Sequence, residues 1–249
     1  MGDPIMLYEW IGGRFVPGSA EADTAVGLIG PHVRPFVSEG CQVLDLCCGA
    51  GVWSLWAAEL GARVEGVDVA AHMIARARSE ADERGLDATF VQADVSQRDH
   101  GDRRFDVALL MGNSIADLSH AEFETGMERV HRGLVPGGRV LIHYLDGDEY
   151  LADARAAGGG VDLEEPERIT WTFTEHQPAG RCWVATYINT TTGEQYEYTT
   201  YIHTRLSMHA VLEPAFALDR SFPLSERSHL DVWLERGDAE TDSGATAVV

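Results

Sequence analysis

The stretch VLDLCCGAG, residues 43–51, decides the fold. It opens with a short apolar run of strand length, which holds a single acid, Asp45, and it closes with a Gly-x-Gly turn at Gly49 and Gly51. Segments with helical spacing of apolar residues follow directly. A buried strand that ends in a glycine turn before a helix is typical of an open α/β sheet with a parallel core.

The sequence on both sides of this stretch alternates short apolar runs with amphipathic segments, which is the pattern of βαβ units. Residues 21–37 precede them and predict a helical cover that Pro31 and Pro35 interrupt. The predicted strands span 42–46, 63–68, 88–92, 105–111 and 139–144, and the predicted helices span 52–60, 70–84 and 121–134.

The second half is rich in Thr, Tyr, Trp and Val, and it predicts a different arrangement. A run of small residues at 154–160 predicts a flexible connection. Beyond a helix near 207–213, two segments predict an antiparallel pair that returns to the main sheet. The strands predicted in this half are a three-stranded antiparallel meander, 168–175, 182–189 and 195–203, and the terminal pair, 215–220 and 230–235.

The expected fold is therefore α/β, with a Rossmann-like, doubly wound, seven-stranded sheet whose last strand is antiparallel. A three-stranded meander is inserted after the fifth strand. We expect one domain over residues 1–236, with a helical cover over 1–40, a meander cap over 161–205, and a disordered tail over 237–249.

Composition excludes several function classes. Among 249 residues, 40 are acidic and 19 are basic, every basic one is arginine, and the formal net charge is −21. Without lysine there is no Schiff base to pyridoxal phosphate, no P-loop lysine and no kinase lysine. Such an acidic chain would be repelled by nucleic acid and by anionic membranes, so a neutral or cationic small molecule is the expected partner.

Location and metal binding follow from further absences in the sequence. The N-terminal residues have no basic region followed by an apolar stretch, so we expect a cytoplasmic protein. The cysteines lack CxxC spacing and are expected to be reduced thiols, with no metal site. They are Cys41, Cys47, Cys48 and Cys182.

Three acids follow three consecutive predicted strands. Asp45 would repel a pyrophosphate on the glycine turn, and Ser54 stands where a dinucleotide fingerprint has its third glycine, so a nicotinamide cofactor is disfavoured. Asp68, 23 residues after Asp45, can accept hydrogen bonds from a ribose diol, and Asp94 can accept from an adenine amino group. Each acid alone would be interpreted as a cap or turn residue. Together they converge on one crevice at the carboxyl edge of the sheet.

These motifs resemble the class I S-adenosylmethionine-dependent methyltransferases over residues 8–151. VLDLCCGAG is similar to their first motif, VEGVDVAAHMIARAR (64–78) to the second strand and ribose acid, VQADV (91–95) to the adenine side, and LVPGGRVLI (134–142) to the turn before strand five. Cys47 departs from the common pattern, which has glycine there. The resemblance implies S-adenosylmethionine as cofactor. Its implied contacts are Tyr8, Arg14, Asp45, Cys47, Gly49, Gly51, Asp68, Val69, Met73, Asp94, Val95 and Met111.

Two shorter segments are similar to glycine and sarcosine N-methyltransferases: LLMGNSIADL (109–118) and YEWIGGR (8–14). The likeness implies that the N-terminal aromatic cluster folds over the cofactor and that the turn 111–114 faces the methyl group. The implied catalytic residues are Asn113, His143, Tyr144 and Tyr8, and the implied substrate residues are Trp10, Asn113, Ser114, His120 and Tyr144.

Methyl transfer from a sulfonium needs a lone pair in line with the sulfur, and an ammonium has none. Either the amine arrives neutral, or His143, Tyr144 or His120 accepts its proton. His143 and Tyr144 can equally be structural residues.

From the resemblance, we expect an N-methyltransferase for the amine of an amino acid, amino sugar or natural-product intermediate. The alternatives are a small-molecule O-methyltransferase and a catalytically silent S-adenosylmethionine-binding subunit. A homo-oligomer is left open, because an insertion at the meander often joins subunits in such enzymes.

Overall fold

The computed structural model describes residues 15–101, 104–147, 160–161, 167–172, 182–189 and 195–237. The predicted disordered tail lies outside these residues apart from Gly237, and so does the predicted small-residue connection apart from Gly160. No helix in the described ranges is both long enough and apolar enough to cross a bilayer.

A seven-stranded sheet forms the centre of the protein, in the order β10-β11-β5-β4-β1-β2-β3. Strands β1 to β5 are parallel, and β11 runs antiparallel to both of its neighbours. The predicted sheet with an antiparallel last strand is confirmed. Its strands are β1 Gln42–Leu46, β2 Arg63–Asp68, β3 Ala88–Gln92, β4 Phe105–Leu110, β5 Leu134–Leu145, β10 Phe216–Pro223 and β11 Ser228–Glu235.

Helices cover both faces of this sheet. Ser119 and Glu122 form a capping box at the start of the helix after β4, with reciprocal side-chain to backbone hydrogen bonds. The helices are α1 Ala20–Val33, α2 Val52–Glu59, α3 Ala71–Arg84, α4 His120–Gly133 and α5 Arg205–Leu212, and two short 3₁₀ helices span Arg34–Phe36 and Ser114–Asp117.

Pro31 lies inside α1, so the predicted interruption at this residue is wrong. The proline removes the hydrogen bond to the carbonyl of Gly27, but both residues are exposed and water can take that carbonyl. The helix ends two residues later at Val33, and Pro35 lies in the 3₁₀ turn that follows.

A second, four-stranded antiparallel sheet is inserted between β5 and α5, in the order β6-β7-β8-β9. The three predicted meander strands are present, and a two-residue strand joins them where the sequence predicts a flexible connection, because Gly160 and Val161 pair with β7. The strands are β6 Gly160–Val161, β7 Glu167–Thr172, β8 Cys182–Asn189 and β9 Gln195–Tyr201. Strand β9 packs against the 3₁₀ helix Ser114–Asp117, which follows β4.

Alternate residues of the central strands point into two apolar layers. Ile142 of β5 packs with Phe123 of α4 and Met208 of α5, whereas Leu141 packs with Val33 of α1 and Trp53 of α2. All of these side chains are buried. Neighbouring residues of β5 therefore lie on opposite faces of the sheet, which decides the surroundings of the residues at its carboxyl end.

The glycine loop between β1 and α2 turns through left-handed backbone conformations. Cys47 has φ +53°, Gly49 has +54° and Gly51 has +85°. The loop is fixed by two backbone hydrogen bonds, from Cys48 N–H to Val67 O at 3.0 Å and from Gly51 N–H to Cys48 O at 2.9 Å. A left-handed conformation costs a non-glycine residue about 1–2 kcal/mol, which explains why the common pattern has glycine at the place of Cys47.

Gly66 of β2 pairs with Asp45 of β1 and leaves room beneath the glycine loop. A Cβ at this position would stand 2.6 Å from Cδ1 of Phe90 and 2.9 Å from Sγ of Cys48. The phenyl ring and the thiol thus occupy the space that a side chain would need. The absence of a Cβ at Gly66 allows β2, β3 and the loop to pack closely.

We expect Gly66→Ala to lower the free energy of unfolding by about 1–3 kcal/mol, because it inserts a methyl group into a filled core. Gly27→Ala is the matched control: nothing lies within 4 Å of its added Cβ, and in a helix interior alanine should add about 0.5–1 kcal/mol. Urea denaturation measures both changes. Equal midpoints for Gly66→Ala and the wild type would contradict the close packing described above.

Candidate functional site

The carboxyl ends of β1 to β4 bring four carboxylates around one thiol. Burial raises the pKa of Cys47 well above its usual value, and the nearby charges of Asp68, Asp117, Asp45 and Asp94 raise it further. The region is therefore strongly negative. A cationic group placed there would be stabilised by several acids at once.

Asp45 is the most deeply buried of these acids, with 1% of its surface exposed. Its Oδ2 accepts a hydrogen bond from Ser54 Oγ at 2.5 Å. Burial raises the pKa of Asp45 to about 7; the Ser54 hydroxyl opposes the shift, and the charge of Asp68 adds to it. The Asp45 carboxyl group therefore gains or loses its proton close to neutral pH.

Asp68 fixes two loops with its two oxygens. Oδ2 accepts from Gly49 N–H and Oδ1 accepts from Ala70 N–H, both at 2.8 Å. Burial raises the pKa of Asp68, although these two backbone hydrogen bonds oppose the shift. Each carboxylate oxygen can accept a second bond, so the predicted contact with a ribose diol remains compatible with this geometry. The adjacent Val69 is 41% exposed.

Asp94 is exposed and closes a turn after β3. Its Oδ1 accepts from Ser96 N–H at 2.8 Å and from Ser96 Oγ at 2.7 Å. This is the turn role that the acid alone would suggest, so its predicted contact with adenine stays a prediction. Val95, the next residue, is buried and packs in the layer that contains Phe123.

The first described residues of the chain lie over the glycine loop. Val16 is buried in one cluster with Ala50 of the loop, Ala70 after β2 and Met73 of α3. The chain therefore enters the fold directly beside the predicted cofactor site. The N-terminal residues predicted to fold over the cofactor lie outside the described residues: Tyr8, Trp10 and Arg14.

The loop after β4 is tied to the end of β5. Asn113 donates its N–H to His143 O at 3.2 Å, and its side-chain Oδ1 accepts from Leu145 N–H at 2.9 Å. Ser114 Oγ donates to Met111 O at 2.8 Å within the same loop. Asn113, Ser114 and Met111 thus lie in one loop that is bonded to β5, and much of their hydrogen-bonding capacity is used inside the protein. Their predicted contacts with cofactor and substrate stay predictions.

His143 and Tyr144, two of the predicted proton acceptors, point to opposite faces of the sheet. His143 Nε2 lies 2.9 Å from Ser228 Oγ, and burial lowers the pKa of His143 to about 4. Tyr144 is fully buried and donates its hydroxyl to Asp231 Oδ2 at 3.1 Å; burial raises its pKa. Both side chains have partners in the layers around the sheet, as the structural interpretation of these residues predicts.

His120, the third predicted acceptor, stacks on His203 with ring centroids 4.4 Å apart. His203 Nε2 lies 2.8 Å from Leu118 O. Burial lowers the pKa of His120 and brings that of His203 to about 4. Both imidazoles are therefore neutral at neutral pH. They lie where α4 begins and where β9 leads into α5, beside the loop after β4.

Sequence reasoning missed two residues of this site and one partner. Asp117 lies in the segment that resembles the N-methyltransferases and could have been found as an acid three residues after Ser114. Ser54 stands at the place of the third glycine of a dinucleotide fingerprint, but no sequence signal predicts its bond to Asp45. His203 carries no local signal, because its stacking partner is 83 residues away in sequence.

The arrangement fits a ligand that carries positive charge and approaches the backbone. Among the described residues, no atom lies within 4 Å of a Cβ at Gly49, so this part of the chain leaves the space above Gly49 open. The buried Asp45 carboxylate gains from a nearby cation. Within the described ranges, no group of three or more His, Cys, Asp or Glu is placed to hold a metal ion.

Comparison with known proteins agrees with this geometry. A family model described as "Methyltransferase domain" matches residues 43–138, which run from β1 into β5. The matched range thus contains Asp45, Asp68, Asp94 and Asp117 together with the glycine loop.

Two curated relatives come from Streptomyces. The cypemycin N-terminal methyltransferase of Streptomyces sp is 30% identical over 181 residues, which cover 71% of this chain and 67% of that protein. The dTDP-3-amino-3,6-dideoxy-alpha-D-glucopyranose N,N-dimethyltransferase of Streptomyces fradiae is 30% identical over 131 residues, which cover 52% of this chain and 49% of that protein. The chain spans about half the length of several curated relatives that it matches.

Among solved structures, the PH0226 protein from Pyrococcus horikoshii OT3 superimposes with a TM-score of 0.72, at 20% identity, over 88% of this chain and 93% of that one. At this identity the likeness concerns the fold alone. Together with the family match and the relative covered over two thirds of its length, it shows that the chain belongs to the class I S-adenosylmethionine-dependent methyltransferases.

Proposed function

We propose that this methyltransferase transfers a methyl group from S-adenosylmethionine to the amine of a small molecule, such as an amino acid, an amino sugar or a natural-product intermediate. The observation that carries the proposal is the set of four carboxylates around Cys47. A strongly negative site favours a sulfonium cofactor, and it also attracts an acceptor that carries an ammonium group.

Two of the relatives support an amine as acceptor. One Streptomyces protein is named as an N-terminal methyltransferase and the other as an amino-sugar N,N-dimethyltransferase. The part that we extend to the present chain is the amine as acceptor.

Three acids are proposed to hold the cofactor. Asp45 would face its amino-acid part, Asp68 its ribose hydroxyls and Asp94 its adenine. When bound, S-adenosylmethionine supplies a methyl group on a positively charged sulfur. The task left to the chain is to orient the acceptor in line with that methyl and to exclude water, which can contribute several kcal/mol to lowering the barrier.

The acceptor amine must lose its proton before it can attack, and the acids oppose this loss because they raise the pKa of an ammonium. His120 is half-buried, and burial lowers its pKa. It is therefore neutral at neutral pH and can accept a hydrogen bond from the amine. We propose this role for His120 in preference to His143 and Tyr144, because His143 Nε2 lies 2.9 Å from Ser228 Oγ and the Tyr144 hydroxyl donates to Asp231.

Asp68→Ala should weaken S-adenosylmethionine binding by about 10- to 100-fold, because a hydrogen bond to a charged group is worth about 1.5–3 kcal/mol. Asp87→Ala is the control: this acid is 72% exposed and pairs with Arg63 at 3.6 Å. Titration calorimetry on both variants, each first checked for its melting temperature, gives the comparison. If Asp68→Ala kept the wild-type affinity, the placement of the ribose contact would be wrong.

Binding of S-adenosylmethionine should release protons between about pH 5 and 7. Asp45 has a pKa of about 7 because of burial, and a cation beside it favours the charged form and lowers that pKa. The affinity should therefore rise with pH and level off above 7. Calorimetry in buffers of different ionisation enthalpy counts the protons released.

Asp45→Asn should remove most of this proton release, since an amide does not titrate. In the wild-type protein, the free energy of unfolding should fall as pH rises toward 7, because the pKa of Asp45 is higher in the folded state than in the unfolded state. Asp45→Asn should not show this fall. Binding heats that are the same in all buffers for the wild-type protein would contradict a role for Asp45 beside the cation.

A mass-spectrometric screen tests the reaction itself. Glycine, sarcosine, dTDP-linked amino sugars and amine-bearing natural-product intermediates should be offered with S-adenosylmethionine, beside counterparts that carry hydroxyl in place of the amine. We expect methylated product from at least one amine and none from its hydroxyl counterpart. Transfer to the hydroxyl compounds alone would contradict the proposal and would favour an O-methyltransferase.

A further inference from the structure

In the loop after β4, a side-chain oxygen takes the place of a backbone carbonyl in the hydrogen bonding to β5. The regular pairing of β4 with β5 ends at Leu110 and Ile142. Beyond it, Asn113 donates its N–H to His143 O at 3.2 Å and accepts from Leu145 N–H at 2.9 Å through its side-chain Oδ1.

This pair of hydrogen bonds repeats the pattern of a parallel ladder. In such a ladder, one residue donates to the carbonyl before its partner and accepts from the N–H after its partner. Asn113 does both around Tyr144, but the accepting oxygen belongs to its side chain. Tyr144 is itself fixed, since it is fully buried and its hydroxyl donates to Asp231.

The backbone conformation of Asn113 makes this exchange of oxygens necessary. Asn113 has φ +64° and follows Gly112 at +71°, so the chain turns away from β5. The main-chain carbonyl of Asn113 accepts instead from Ala116 N–H at 3.0 Å, inside the 3₁₀ helix. Asparagine and aspartate tolerate left-handed backbone better than other side chains and carry an oxygen at this reach.

We propose that Asn113 is a positioning residue, which holds the loop 111–117 against β5 through its bonds to His143 and Leu145. We call these three residues the Asn113 clamp. The side-chain oxygen accepts from Leu145 N–H, and this bond fixes the orientation of the amide within the loop. The clamp sets the place of Ser114 and Asp117, and through them the surroundings of the transferring methyl group. This last step rests on the proposed function.

The first test detects the clamp in the wild-type protein. A through-hydrogen-bond NMR coupling between Leu145 N and Asn113 Cγ should be observed, since the donor and acceptor are 2.9 Å apart. Its absence, together with fast exchange of the Leu145 amide, would overturn the proposal. This measurement needs neither cofactor nor acceptor, so a failure of the amine screen does not affect it.

Two substitutions separate the clamp from a direct contact. Asn113→Asp keeps the accepting oxygen and should leave the exchange rate of the Leu145 amide within about threefold of wild type. Asn113→Gly keeps the left-handed backbone but removes the oxygen, and it should raise that rate by about tenfold or more. Gly112→Ala is the control, because it strains the same turn and its added Cβ meets no described atom within 4 Å; the Leu145 amide should stay protected.

The ¹³C resonance of bound S-[methyl-¹³C]adenosylmethionine reports on position at the methyl group. We expect it to shift in Asn113→Gly, because the loop 111–117 is then no longer held against β5. A shift in Asn113→Gly while Leu145 remains protected would show that the side chain acts on the methyl group directly, and would overturn the proposal. Equal losses of Leu145 protection in Asn113→Gly and Gly112→Ala would assign the effect to backbone strain and would overturn it as well.

Discussion

Five parallel strands end at one edge of the central sheet, and the backbone groups beyond that edge have no further strand to pair with. Buried backbone donors need partners, and here acidic or amide side chains supply several of them. Asp68 takes the N–H groups of Gly49 and Ala70, Asp94 closes the turn at Ser96, and Asn113 takes the N–H of Leu145. The loops that form the site thus depend on the same side chains that give the site its charge.

This double use has an electrostatic consequence. Carboxylates that hold loops cannot be spread apart, so their charges accumulate around Cys47. Burial disfavours the charged forms of Asp45 and Asp68 when no cation is bound. Asp45 shows the effect most clearly, because burial holds its pKa near 7. A cationic cofactor removes this disadvantage. The negative charge of the site therefore favours a cationic ligand. This agrees with the family to which the chain belongs, since its cofactor carries a positively charged sulfur.

Most of the fold follows from local sequence signals, and part of the site does not. The glycine turn and the strand periodicity predict the parallel strands, their helices and the antiparallel last strand, and they place Asp45, Asp68 and Asp94 at one edge of the sheet. The two-residue strand Gly160–Val161 is not predicted, since a glycine-rich segment carries no strand signal. The contrast between His143 and Tyr144 was available from strand alternation, but their partners Ser228 and Asp231 come from β11. Contacts between segments far apart in sequence have no local pattern to reveal them.

Strand β9 packs against the 3₁₀ helix Ser114–Asp117, so the inserted sheet meets the chain on the β4 side of the site. The loops after β1, β2 and β3 carry the acids proposed for the cofactor, whereas the 3₁₀ helix after β4 meets β9 of the inserted sheet. Under the proposed function, we expect an exchange of the inserted sheet between related enzymes to alter which acceptors enter, because the acids proposed for the cofactor lie on other loops. Such an exchange would change the acceptor side through one contiguous insertion.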